Sequence, residues 1–276
     1  MTEPLVTFLI PFGFGLLFLR DALKSCLAQT ENRWEAIVVD DHSAESPHLL
    51  ASYFQDARIR FLSLPLDRSG VAASREWAIQ AAQSERLITL DADDISLAHR
   101  AARVCDLLEP TVAQLIYTRI RFMNSSGVPG ALKPSLEPYS LELLRLFNFI
   151  TNPGTAFTRA AYERAGGWLC QQLSRSEDYE LFLRMAQLNV LIQPVDEVHV
   201  LYRKHSLSLT ALSFNLQHQS IMQVRQLHQL SPFPLSTLLI HASPTLAAAF
   251  KRSRRLRCLW RDDRWPRSFR ERLSGW

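Results

Sequence analysis

The sequence predicts an α/β protein: a mostly parallel mixed sheet sandwiched by helices, followed by a helical C-terminal extension. Three observations carry this. Strand-like apolar runs alternate with helical patterns through the first hundred residues. Runs such as 34–39 (WEAIVV) are apolar at nearly every position, the pattern of strands buried on both faces. Two runs, 34–39 and 86–90, pass straight into aspartates, and in open α/β sheets ligands bind at the carboxyl ends of strands. With 276 residues, 47% of them hydrophobic and 21% charged, the chain is neither a disordered tail nor a polytopic membrane protein.

Taken in order, residues 5–10 form a β-rich run closed by Pro11, and after a glycine-containing turn Leu16, Leu19, Leu23 and Leu27 recur at helical spacing as far as Gln29. Residues 34–39 are a second strand, stopping at Asp40, Asp41 and Ser43, types that favour turns and caps. Residues 58–62 alternate, with Ile59 and Phe61 on one face, and the Ala-rich stretch 70–83 predicts a helix. The strand 86–90 ends in Asp91, Asp93 and Asp94. Ser96 is placed to cap a helix with a stripe at Ala98, Ala101, Ala102, Cys105 and Leu108. Further on, 115–123 reads as one or two strands, 140–147 as a short helix, and 155–158 as a strand leading into a helix that ends at Gly166 and Gly167. Residues 178–188 are an amphipathic helix. Past Ser208 the pattern turns helical and basic, which sets a boundary near Thr210 and divides the chain into 1–210 and 211–276.

The net charge of +4 is too small to argue for nucleic acid, and no recognition motif accompanies it, so no nucleic-acid partner is expected. The charge is concentrated: residues 251–276 hold ten basic and three acidic side chains. There Arg252, Arg255, Trp260, Arg264 and Trp265 interleave cations with bulky aromatics beside the apolar run 234–250. That suits peripheral contact with anionic lipid, and equally a solvated basic extension or a docking surface for another subunit. The run 234–250, broken by His241 and Pro244, is too short to span a bilayer core of about 30 Å. The apolar run 6–19 follows Glu3 with no preceding Lys or Arg and is interrupted by Pro11, Gly13 and Gly15, which is unlike a secretory signal. Cys26, Cys105, Cys170 and Cys258 form no CxxC pair and are too few for a disulfide framework, so a cytoplasmic location is expected, with a peripheral position on the inner face of the membrane if the basic segment binds lipid.

The sharpest chemical signal is LDADD at 90–94. Side chains at i and i+2 of a strand share a face, so Asp91 and Asp93 can converge, and two crowded carboxylates are best stabilised by a divalent cation or a cationic partner. Hard oxygen ligands suit Mg2+ or Mn2+. On spacing alone the other reading stands beside it: Asp94 caps the next helix and the rest are solvated turn residues.

At this point the sequence resembles the family 2 glycosyltransferases with the GT-A nucleotide-sugar-binding fold. The resemblance covers about residues 5–209 and rests on motifs in order: FLIP at 8–11, Leu19 followed by ALKSCLAQT at 22–30, VVDDHS at 38–43, SGVAASRE at 69–76, LDADD, GGW at 166–168, SEDYELFLR at 176–184 and YRKHSLSLT at 202–210. It implies a GT-A fold and an inverting, metal-dependent transfer of sugar from a nucleotide-diphosphate sugar, a UDP-sugar first among them. The acceptor would be a glycan or lipid-linked glycan, in surface polysaccharide or glycolipid assembly.

Carried over by position, the resemblance implies that Asp41 reads the base, with Pro11 and its neighbour Phe12 lining the base pocket. It implies that Asp93, with Asp91 and Asp94 nearby, reaches a Mn2+ or Mg2+ ion on the diphosphate, that Arg75 contacts phosphate, and that Asp178 is the catalytic base beside Glu177. A carboxylate at a helix start can serve as general base for an attacking hydroxyl, but acids in a first turn also simply favour the helix dipole. His205 is a candidate metal or phosphate contact or a surface residue, and Arg203 could equally hold phosphate. Asp40 is expected to orient the turn.

Departures are Gly13 and Phe14 where the family usually has Tyr and Asn, Glu76 where Asn follows the Arg, and His42 where Gly is common. Base stacking must then come from Phe12 or Phe14. These departures motivate a rival reading, a nucleotide-sugar-binding or scaffold protein that has lost turnover. A HAD-type phosphatase also places DxD after an apolar strand, but needs a Thr or Val where Asp94 and Ile95 follow here.

Overall fold

The structure is a computed structural model and describes residues 3–133, 136–169, 173, 175–206, 208 and 214–230. Its elements in chain order are β1 (Val6–Phe12), α1 (Leu16–Leu27), β2 (Trp34–Asp40), a short α2 (Ala51–Phe54), β3 (Ile59–Ser63), α3 (Val71–Ala81), β4 (Arg86–Thr89), β5 (Ile95–Ser96), α4 (Arg100–Leu107), β6 (Gln114–Met123), β7 (Pro129–Leu132), α5 (Leu141–Leu146), β8 (Thr155–Thr158), α6 (Arg159–Arg164), α7 (Glu177–Gln187), β9 (Leu191–Arg203) and α8 (Phe214–Leu227).

The strands form one mixed sheet in the order β3-β2-β1-β4-β8-β6-β9-β5, with β7 paired to β6. The half made by the first hundred residues is parallel, as the strand–helix alternation predicts: β1 pairs in parallel with β2 and β4, and β2 with β3. Beyond it β8 is antiparallel to both β4 and β6, while β6 and β9 run parallel. The direction of travel is therefore the same in β1, β2, β4, β6 and β9, and their carboxyl ends share one edge.

Period-2 alternation divides the core between the two faces. Val6, Phe8, Ile10 and Phe12 of β1 face one side, where Leu19, Ala22, Leu23 and Cys26 of α1 and Ala101 and Val104 of α4 cover them. Leu9, Ile37, Val39, Leu87, Leu115 and Phe157 face the other, under α3, α5, α6 and α7. The first half of the sheet is thus covered on both faces, while β7 and much of β9 stay exposed, and the shared carboxyl edge is where a site can be built.

Two local expectations are corrected. The first strand does not stop before Pro11 but runs to Phe12, because β4 pairs with β1 only as far as Leu9 and the missing N–H of Pro11 falls where no bond is asked of it. Ser96 does not cap the helix. It lies buried in β5, its N–H donating to Ser25 Oγ at 3.0 Å, and α4 begins four residues later, at Arg100. The strands β5, β7 and β9 are absent from the sequence reading; β9 contains Pro194 and a run of exposed or half-exposed residues, and becomes a strand by pairing along β6.

At the far end, α8 docks on the domain: Arg225 Nη1 donates to Arg145 O at 2.8 Å, and His228 Nε2 lies 3.1 Å from Glu180 Oε1 on α7. The expected boundary near Thr210, the apolar run 234–250 and the basic segment 251–276 lie outside the described residues. Among the described residues no helix is long and apolar enough to cross a membrane.

Candidate active site

The acid turn after β4 is built by its own backbone and then clasped by the end of β9. Asp94 N–H donates to Asp91 O at 3.0 Å, closing the turn. Asp94 is buried, and its Oδ1 accepts from Arg203 N–H at 2.8 Å. The Arg203 guanidinium donates to Asp93 O at 2.7 Å and to Ser125 O at 2.9 Å, and lies 3.5 Å from Asp21 Oδ2. His205 follows two residues later, and its Nε2 is 2.8 Å from Asp93 Oδ2. It is a buried partner of the acid turn, not a surface residue, packed against Phe18 with ring centroids 4.9 Å apart.

This packing leaves three carboxylates close together. Burial pushes the Asp93 carboxyl up, the Asp91 charge adds to it, and the contact with His205 partly offsets both. Asp94 is raised well above the usual range by burial and by its two acidic neighbours. Asp91 Oδ1 is held by Arg75 and Asp93 Oδ2 by His205, whose Nδ1 has no partner among the described residues; the three supply donor types that suit a cation, although their ligating atoms do not all lie within 4.8 Å of one another. Two carboxylates and an imidazole are a donor set that Mn2+ or Mg2+ accepts.

Arg75 links this turn to the start of α7. It sits on α3 with only 3% of its side chain exposed. Its Nη2 donates to Asp91 Oδ1 at 2.7 Å and its Nη1 to Glu177 Oε1 at 2.8 Å. Burial opposes the charge, but Asp91, Glu177 and Asp178 outweigh it and raise the guanidinium's pKa. Removing one partner from such a buried set typically costs about 3–5 kcal/mol, because the remaining charges are left uncompensated. Asp178, the next residue after Glu177, is held by an Oδ1 contact from Tyr179 N–H at 2.7 Å. Burial, with the neighbouring Glu177 charge second, raises its carboxyl from 3.8 to about 7.

On the other side of the edge, Asp40 Oδ1 accepts from Ser43 N–H at 3.0 Å, so it orients the turn as expected. Asp41 N–H donates to Phe12 O, and Asp41 Oδ2 accepts from Gly70 N–H at 2.9 Å. Gly70 has φ +97°, a conformation that a side chain would strain, and it starts the helix that carries Arg75. The buried Oδ1 of Asp41 has no partner among the described residues. Pro11 lies half-buried beside it, across the register from Val39.

Packing bears on three of the expected contacts. Phe12 is 1% exposed in the core beneath α1, so it offers no face for stacking, whereas Phe14 is 41% exposed. Arg75 and Arg203 are buried: Nη1 and Nη2 of Arg75 and Nε and Nη1 of Arg203 donate to protein oxygens, while Arg75 Nε has no partner among the described residues, so both arginines also build the site's walls. Sequence reading missed Asp21 and Ser125, which bracket Arg203, and Trp168, whose ring lies 5.9 Å from the Arg75 guanidinium. Trp168 was legible as part of GGW. The other two carry no motif, since Asp21 and Arg203 meet across 182 residues of chain.

Residues 7–166 match the family described as glycosyl transferase family 2. Among curated proteins, the chain is 25% identical to the UDP-Glc:alpha-D-GlcNAc-diphosphoundecaprenol beta-1,3-glucosyltransferase WfgD of Escherichia coli, over 47% of this chain and 51% of that protein. It is 26% identical to the putative teichuronic acid biosynthesis glycosyltransferase TuaG of Bacillus subtilis, over 46% of this chain and 51% of that one. The chain thus spans about half the length of these relatives. Among solved structures, S. aureus TarS 1-349 in complex with UDP-GlcNAc superposes with a TM-score of 0.65 at 14% identity, covering 93% of this chain and 78% of that one, a likeness of fold.

Proposed function

Because the chain belongs to glycosyl transferase family 2, we propose that it transfers a sugar from a nucleotide-diphosphate donor, a UDP-sugar, to a hydroxyl of a glycan or lipid-linked glycan, with inversion at the anomeric carbon. The names of WfgD, a UDP-Glc:alpha-D-GlcNAc-diphosphoundecaprenol glucosyltransferase, and of TuaG, a putative teichuronic acid biosynthesis glycosyltransferase, support that donor and acceptor class. The free thiols of Cys26 and Cys105 suit the cytoplasmic compartment.

One observation carries the proposal: Arg75 joins Asp91 of the acid turn to Glu177, the neighbour of Asp178. The acids at the diphosphate end and the candidate base are thereby parts of one connected cluster. Asp178, raised to about 7, is poised to take the acceptor's proton near neutral pH as the hydroxyl attacks, and Glu177 is fixed in place by Arg75. Asp41 receives the base through its spare Oδ1, and Phe14 offers it an exposed ring. Asp91, Asp93 and His205 would hold Mn2+ or Mg2+, which supplies charge neutralisation for the departing nucleoside diphosphate.

The test is donor turnover. The full chain, incubated with a panel of nucleotide sugars and Mn2+ or Mg2+, should release nucleoside diphosphate slowly without acceptor and faster with one. Asp178→Asn should lower transfer by roughly 100- to 10,000-fold while donor affinity stays within about threefold. Donor binding with no turnover for any sugar and acceptor would replace this reading with the scaffold one.

A further inference from the structure

A second cluster of metal-ligating side chains lies away from the acid turn, where β9 passes the start of α4. Glu197 and His199 are two residues apart on β9 and project from one face. His99 immediately precedes α4 and is brought to them by β5, with Leu97 N–H donating to His199 O at 2.9 Å. One ligating atom from each of the three side chains lies within 4.8 Å of the others. The two imidazoles meet edge to face with centroids 5.1 Å apart. His199 is wholly buried; its Nε2 lies 3.1 Å from Glu197 Oε2, and its Nδ1 has no partner among the described residues. The ring therefore carries more bonding capacity than the fold uses, at a place where water cannot take it up.

We propose that His99, Glu197 and His199 form a second metal site, for a borderline divalent transition ion such as Zn2+, that ties the start of α4 to β9. Two imidazole nitrogens and one carboxylate oxygen suit Zn2+ or Co2+ better than the hard, oxygen-preferring Mg2+, and a water completes four-coordination. Arg103 is the competing group: its Nε and Nη2 hold Glu197 Oε2 and Oε1 at 3.0 and 2.7 Å. Oε2 already meets both Arg103 Nε and His199 Nε2, so an ion would take the place of one of these contacts while Oε1 stays with Arg103 Nη2. The site stands four residues before Arg203 on β9, about 13 Å along the strand from the clasp on the acid turn. An ion there would fix the two segments that flank that turn, without touching donor or acceptor.

The measurement is Co2+ titration of the full chain followed by visible absorption, with folding of each variant checked by circular dichroism. Wild type should bind Co2+ with the strong d–d bands of a four-coordinate nitrogen–oxygen site, at one equivalent for those bands whatever the acid turn binds besides. His99→Ala, at a half-buried position that tolerates truncation, should lose those bands and weaken that uptake at least tenfold, as should Glu197→Gln. Asp93→Ala should keep them. Absence of the bands in wild type, their persistence in His99→Ala, or their loss in Asp93→Ala would each overturn the site. None of these outcomes bears on sugar transfer, so the site stands or falls apart from that activity.

Discussion

Asp178 shows how one side chain can be set by its surroundings. Its carboxyl is raised from 3.8 to about 7, first by burial and then by Glu177, so the folded protein binds this proton more tightly than the unfolded chain does. Between about pH 4 and pH 7 the native state therefore holds more protons, and the contribution of this group to stability falls as pH rises. Asp178→Asn should accordingly raise the melting temperature more at pH 8 than at pH 5, measured by thermal unfolding. Transfer should run the other way, with the rate at saturating donor climbing through about pH 7 as the base loses its proton. A flat rate between pH 5 and 8 would remove Asp178 from the role. The aspartate itself was legible in SEDYELFLR, but its raised pKa was not, because the burial that raises it, which outweighs the lowering effect of Arg75, depends on how α3 and α7 come together.

At the level of elements, the junction of β8 and α6 shows local chemistry that the sequence does announce. Thr158 ends a short strand where a helix begins. Its hydroxyl donates to Val112 O at 2.7 Å and accepts from Gln114 N–H at 3.1 Å and from Ala161 N–H at 3.2 Å, the last being the helix cap. One donor and two acceptor positions are thus all in use. Thr158→Ala should cost about 2 kcal/mol in urea unfolding with an unchanged m-value, and Thr158→Ser distinctly less. The long strand β9 behaves differently. Its pattern of exposed and half-exposed residues with Pro194 gives little alternation, and only the ladder with β6 makes it a strand. The Ser96 cap failed for a related reason: Gln29 and Ser25 of the first helical region reach across to residues 96–101 and draw that backbone into the sheet before α4 can start.

For the whole molecule, the carboxyl edge gathers Asp41, the acid turn and the α7 acids, and under the proposed function this arrangement should make nucleotide and cation binding interdependent. UDP with Mn2+ or Mg2+ should raise the melting temperature of the full chain well above the sum of either alone, because a ligand that binds only the folded state stabilises it. Asp93→Ala should leave a UDP shift that no longer responds to the ion; a metal-dependent shift that survives Asp93→Ala would place the ion elsewhere. The sequence by itself determined the parallel first half of the sheet, the two-sided core, the aspartates at the strand ends and the family, because period, turn chemistry and motif order are properties of neighbouring residues. Tertiary structure alone decided that Arg75 and Arg203 turn inward, that Phe12 is core, that His205 meets Asp93 across 112 residues and that His99 meets His199. Those outcomes depend on which buried charge finds a partner, and the partners come from distant parts of the chain that only the closed sheet brings within hydrogen-bond reach.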